Sequence, residues 1–509
     1  MKNIKYIGLM LLAVSFSACE VNNDLDEIAA EALILPAADA GSADFSKFVA
    51  IGASFSAGFS DGSVFLAAQS ISFPKIMANK MANFGGGDFT QPLVSDNIGG
   101  LLLGGNQISN ARLFFNGAGP AVLPGTPTTE VSSVLTGPFN NMGVPGAKSF
   151  HLLAPGYGSV ANVALGLANP YFARMASSPG ATVLGDAAAQ SPTFFTVSEI
   201  GGNDVLAYAT SGGIGTVQTN NFDPTTYGGN DITSPVVFNQ VFSATIAALT
   251  ANGAKGAVVT VPSIVNLPYF TTVPYNAIPL DAGTAGLVNG AYATYNASLA
   301  PAIAGANALG GLGLTPAQIA AEVQKRTINF SAGQNAVVII DEDLTDTTGL
   351  GLPLYRQATA ADFLVLTSSS FLGTIVGGNP QLINGVTVPL ADNWVLTPEE
   401  QNNIQTAVDA YNATITAVGS ANGLAVVDLN QLLNDAASTG TQFDDFTMTT
   451  NLVFGGLVSL DGIHLTSRGY ALMGNKILEA IDATYGSNFE ASGNLAKANN
   501  YPTNYSPGI

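Results

Sequence analysis

A chain of 509 residues is long enough for a large core and leaves room for two or three domains. It carries 35 Asp and Glu against 15 Lys and Arg, a formal net charge of −20, with no basic stripe to neutralise phosphates. That balance excludes nucleic acid as a partner and gives anionic lipid no electrostatic site, while a charged fraction of only 10% in a Gly-rich chain fits secreted or surface proteins.

Lys2 and Lys5 precede a short apolar run over residues 7–16, and Ser17-Ala18 lead into Cys19. The run is too short to span a bilayer and has the layout of a signal peptide over residues 1–18. Cys19 is the only cysteine, so an intramolecular disulfide is impossible. Its position at the cleavage point resembles the lipid-modified cysteine of bacterial lipoproteins, which implies lipid anchoring in the cell envelope, at the outer membrane or cell surface. Residues 19–44 are acidic and Ala-rich, as a tether between anchor and domain would be.

The folded region is expected to start at Phe45 and run to residue 487. Phe48-Val49-Ala50-Ile51 reads as a buried strand ending in a turn at Gly52. A second strand is expected over residues 193–200, running into Gly201-Gly202-Asn203-Asp204. A helix over 236–250 stops at Asn252-Gly253, before an apolar strand over 257–261. Thr397-Pro398-Glu399-Glu400 has the form of a capped helix start. Ile404, Val408, Tyr411, Ile415 and Val418 then recur at helical spacing, so one face meets a core. Gly423 ends that helix, and residues 424–429 form a further strand. Thr466 or Ser467 caps a last helix to about residue 483. Strands alternating with helices predict an α/β domain with a central parallel sheet. Residues 83–140 and 265–395 fit the alternation poorly and read as insertions that cap the sheet. The tail, 488–509, is polar and expected to be extended.

Asp461-Gly462-Ile463-His464 carries the most chemistry. An acid that fixes the tautomer of a histidine makes two thirds of a nucleophilic hydrolase's machinery. The missing nucleophile is Ser54, directly after the first strand in Gly52-Ala53-Ser54-Phe55-Ser56-Ala57-Gly58. This is Gly-x-Ser-x-x-x-Gly rather than the Gly-x-Ser-x-Gly elbow. It resembles the first block of the SGNH (GDSL) hydrolase superfamily. Asn141-Met142-Gly143-Val144-Pro145-Gly146-Ala147 is similar to the second block, Ile200-Gly201-Gly202-Asn203-Asp204 to the third and Asp461-Gly462-Ile463-His464 to the last, in the family's order.

The resemblance implies a three-layer α/β/α, flavodoxin-like fold with large insertions. It further implies Ser54 as nucleophile, His464 as general base and acid, and Asp461 as its orienting acid. The oxyanion donors it implies are the backbone N–H of Ser54, that of Gly146 and the side-chain amide of Asn203. The chain departs from the family pattern at Ala53, where an Asp names the signature, at Phe55 in place of Leu, and at Leu465 in place of Pro.

Each of these residues also has a plainer reading. Ser54 could cap a helix, Asn203-Asp204 could be a turn, and His464 could be a satisfied structural histidine. No acid flanks His151, which reads as packing or substrate lining. Two histidines and one cysteine are too few for a zinc site. The Gly runs at 85–87, 99–100 and 104–105 lack phosphate-loop spacing. The expectation is therefore a cofactor-independent, metal-free serine esterase or lipase, anchored to a membrane through Cys19. A polysaccharide O-acetylesterase with the same triad is the alternative, though the single Trp394 offers few aromatic platforms. A surface binding lipoprotein on a degenerate hydrolase scaffold is the non-enzymatic alternative, favoured by Ala53.

Overall fold

In the computed structural model of the chain, residues 35–509 are described. The signal segment, Cys19 and most of the tether lie outside them. Strand β1 (Phe48–Gly52) is buried at every position, as a parallel strand covered on both faces must be. It is joined by β2 (Asn141–Gly143), β3 (Phe194–Val197), β4 (Lys255–Val259) and β5 (Ala425–Val427). All neighbours are parallel, in the order β2-β1-β3-β4-β5. The progression of the chain across the sheet reverses at the β1–β3 pair.

The principal helices are α1 (Phe73–Met81), α2 (Asn203–Thr210), α3 (Pro235–Thr250), α4 (Ala282–Gly310), α5 (Pro316–Arg326), α6 (Pro398–Ala421), α7 (Leu429–Ser438) and α8 (Ser467–Tyr485). Alternation along the strands assigns them to opposite faces. Val258 and Val426 meet α6 at Gly419, and α3 packs beside α6. On the other face, the ring of Tyr485 in α8 meets Phe194 edge-on at 5.9 Å, and α1 packs beside α8. Helices therefore cover both sides of a parallel sheet, giving three layers.

The helix signals in the sequence act as expected at two starts. Thr397 accepts the N–H of Glu400, and Glu400 accepts that of Thr397 at 2.6 Å, with Pro398 opening α6. The buried stripe runs through Ile404, Val408, Tyr411 and Ile415 to Gly419, leaving Val418 half-buried. Thr466 caps α8 through the N–H of Gly469. At residue 429 the reading differs. The strand ends at Val427, because the Asp428 side chain accepts the N–H of Gln431 and starts α7.

Residues 265–395 hold more order than their sequence suggests. Helix α4 is 29 residues long despite Pro301 within it, and it packs Val288 and Tyr292 onto Ile328, Phe330 and residues 337–339. From Ala38 to Ile509 the chain forms one compact unit. Packing begins before the expected Phe45, since Asp39 N–H donates to Asn488 and Ser42 N–H to the Tyr485 carbonyl. The tail is not a free polar extension either. Phe489 is fully buried against Phe45 and Phe84, and Arg112 donates to the Ser506 carbonyl. Among the described residues no helix is long and apolar enough to cross a membrane.

The approach of α6 to the sheet leaves no space for a side chain at 419: a Cβ there would lie 2.6 Å from Val258 Cγ2. Gly419→Val is expected to lower stability by about 1–3 kcal/mol in urea unfolding. A variant as stable as the parent would contradict this packing.

Candidate active site

Strand β1 ends at Gly52, and Ser54–Ala57 form a single helical turn closed by Gly58 in the left-handed region. The turn lacks a side-chain cap of its own because Ala53 carries no oxygen. Glu199, just beyond β3, supplies one. Its Oε1 accepts the N–H of Ala53 at 2.6 Å and that of Ser56 at 2.9 Å, while the Ser198 hydroxyl binds the other oxygen. A Cβ at Gly52 would stand 2.8 Å from Glu199 Oε1, so glycine is what lets the carboxyl reach the turn. Burial pushes the Glu199 carboxyl up to about 7, outweighing the hydrogen bonds from Ser198, Ser56 and Ala53. Sequence reading missed Glu199. Its only signal was a charge at the end of an apolar strand in a charge-poor chain.

The acid and base occupy a tight turn before α8. Asp461 Oδ2 lies 2.8 Å from His464 Nδ1, and its Oδ1 accepts the N–H groups of Ile463 and His464. Burial raises the Asp461 carboxyl. The His464 charge and these hydrogen bonds overcome that and hold it well below the usual carboxylate range. This turn is fastened to the loop that follows Ser54. Asp461 accepts from Gly62 N–H at 2.8 Å, Asp61 accepts from Leu460 N–H at 3.0 Å, and the Ser459 hydroxyl takes Asp61 N–H at 3.0 Å. Ser60 donates its hydroxyl to the Leu465 carbonyl. Phe59 lies 4.3 Å from the His464 ring, centroid to centroid. Burial pushes Asp61 up to about 7, against the opposing bond from Leu460.

The proposed oxyanion donors follow β2 and β3. Val144 N–H donates to the Gly52 carbonyl, so the 144–147 segment leaves β2 beside the turn bearing Ser54. Gly146 is exposed, with φ +78°. Asn203 opens α2 and gives one amide hydrogen to the Ala147 carbonyl at 3.0 Å, which leaves the second free to donate. Asp204 is buried and takes the Ser149 N–H and hydroxyl, tying the same two segments together. It is thus a brace between loops rather than a simple turn residue.

Ser54, Asn203 and His464 line one cleft, together with Glu199 and the apolar groups Phe55, Leu206, Pro262, Ile264, Leu267 and Ile463. Gly146 is not among the residues lining it. The cleft lies beyond the carboxyl ends of β1, β3 and β4, at the point where the strand order reverses. Among the described residues the Ser54 hydroxyl makes no hydrogen bond, so it does not cap the turn, and no Ser54–His464 bond is closed. Such bonds are commonly loose without substrate. His151 stands apart: its Nδ1 accepts the Lys148 N–H and its ring stacks on Tyr157 at 4.3 Å. Burial, with the nearby Lys148, lowers it to about 4, so it is a packed, neutral histidine.

No family model, curated protein or solved structure matches the chain.

Glu199 and Asp61 sit above their ordinary values of 4.5 and 3.8. Between those values and about 7, the folded chain holds protons that the unfolded chain has released, so stability falls as pH rises through that window. Urea unfolding is expected to show lower stability at pH 8 than at pH 5.5. Glu199→Gln keeps an acceptor for the turn and should shrink that difference by roughly 1–3 kcal/mol. An unchanged difference would mean that Glu199 is ionised across the range.

Proposed function

We propose that the chain is a cofactor-independent serine esterase of the SGNH type, acting on carboxylic esters with an apolar acyl group. The observation that carries this reading is the meeting of Ser54, Asn203 and His464 in one cleft, with Asp461 locked onto the histidine. The 2-1-3-4-5 order of the parallel sheet, which is that of flavodoxin-like folds, supports the family reading.

In this reading Ser54 Oγ attacks the ester carbonyl carbon while His464 Nε2 accepts its proton. Asp461 holds Nδ1–H and stabilises the imidazolium. The tetrahedral oxyanion meets the N–H of Ser54 and the free amide hydrogen of Asn203; Gly146, outside the cleft lining, is a donor that the resemblance alone supports. His464 then protonates the leaving alcohol, and water repeats the sequence to release the acid from the acyl-enzyme. Glu199 and Phe59 touch no reacting atom: the first shapes the turn bearing Ser54, the second packs on the base.

The cleft wall favours a lipase or acylhydrolase over the O-acetylesterase alternative, because its non-catalytic lining is largely apolar and suits an acyl chain. Lipid attachment at Cys19 would hold such an enzyme at a membrane surface, close to acylated substrates.

Turnover of p-nitrophenyl esters from acetyl to long-chain by the full chain tests the reading. The wild type is expected to be active with a preference for acyl groups longer than acetyl, and Ser54→Ala to be inert. Asn203→Ala should lower kcat by about 10²–10³ with little change in KM. A wild type inactive across the series, or an active Ser54→Ala, would overturn the proposal. Asp461→Asn, which leaves His464 in the wrong tautomer, should cost about 10⁴ in kcat.

A further inference from the structure

We infer that Glu342, Asp392 and Glu400 form a binding site for a hard divalent cation, Ca²⁺ in preference to Mg²⁺, which fastens the 265–395 insertion to helix α6. Each of the three offers a carboxylate oxygen, and these oxygens lie within 4.8 Å of one another. That is the spacing a shared ion at about 2.3–2.6 Å from each would need. Glu342 and Asp392 come from the insertion, whereas Glu400 stands in the first turn of α6, which packs on the sheet.

Glu400 supplies the second, separate observation. Its side chain is only 3% exposed, and one oxygen accepts the Thr397 N–H as the helix cap. The other, Oε1, is shut off from solvent and has no hydrogen-bond partner. An orphaned carboxylate oxygen in that position carries its full desolvation penalty unless something positive faces it.

No basic side chain does so among the described residues. Arg356 and Lys325 are engaged by neighbouring Asp341, Lys325 at 3.6 Å. The other groups nearby add negative charge, since Asp341 and Asp343 both act on Asp392. Burial and mutual repulsion hold Asp392 and Glu400 above the ordinary carboxylate range. In a chain with two histidines and one cysteine, a nitrogen or sulfur site is out of reach, but an all-oxygen site is not. Three carboxylates, one exposed, one half-buried and one buried, suit Ca²⁺, which takes six to eight oxygens, better than Mg²⁺, which usually keeps most of its waters.

Calorimetry and thermal unfolding of the full chain, stripped with EDTA and titrated with CaCl₂ or MgCl₂, test the site without any assay of ester turnover. The expected result is one Ca²⁺ bound, a melting temperature raised by about 2–5 °C and Mg²⁺ at least about tenfold weaker. Glu342→Gln alters an exposed side chain and does not threaten the fold. Together with Asp392→Asn, it should weaken Ca²⁺ binding by about tenfold or more and abolish the thermal shift. Glu400→Gln retains the acceptor for Thr397 and should do the same. Several outcomes would overturn the inference: no Ca²⁺ binding at millimolar concentration, variants that bind as the wild type does, or tighter binding of Mg²⁺. So would a Glu342→Gln gain in stability in EDTA without any wild-type response to Ca²⁺, since the carboxylates would then merely share protons.

Discussion

The candidate site depends on a lacing of two loops nearly four hundred positions apart in sequence. The loop after Ser54 and the turn bearing Asp461 and His464 exchange hydrogen bonds in both directions, with Asp61 and Asp461 each accepting a backbone N–H from the other loop. The arrangement is reciprocal, so neither loop can shift without orphaning polar groups of the other. Most of these groups are buried, and losing a partner there costs more than the bond itself contributes. The parallel sheet delivers Ser54 to the rim, but only this lacing brings an acid and a base to meet it.

A second constraint is the economy of charge. In a protein with so few ionisable residues, several of its carboxyls are buried and each has a structural task. Glu199 caps the turn bearing Ser54, Asp61 joins the two loops, Asp204 braces the segment beside Gly146, and Asp461 orients His464. Of these four only Asp461 is held well below its ordinary value, through its contact with His464 and the N–H groups of Ile463 and His464. The others stand raised because burial outweighs their hydrogen bonds. The result is a scaffold whose stability leans toward mildly acidic conditions.

Much of this was legible in the residues, for identifiable reasons. The first strand, the Thr397 capping box and the Thr466 cap are local signals, set by a few neighbours and little altered by tertiary context. Asp461 and His464 stand out by their spacing, whereas Ser54 and Asn203 are singled out only through the resemblance of their blocks to a family pattern. Glu199 could not, since its role exists only across the β1–β3 pair, where Ala53 leaves a gap that a neighbouring strand fills. Helix α4 was hidden by its Ala- and Gly-rich composition and by Pro301, which blur any amphipathic stripe. The ordering of the tail was equally unreadable, because Phe489 is buried only by residues brought from Phe45 and Phe84.

The position of β1 in the middle of the sheet has a consequence for assembly. Its partners β2, which starts at Asn141, and β3, which starts at Phe194, both come well after it in the chain, and the turn carrying His464 arrives later still. During synthesis the Ser54 turn must exist for a long interval without its base, and the apolar strand beneath it without full cover. A candidate site whose halves are made so far apart in time is assembled only once the chain around it has closed.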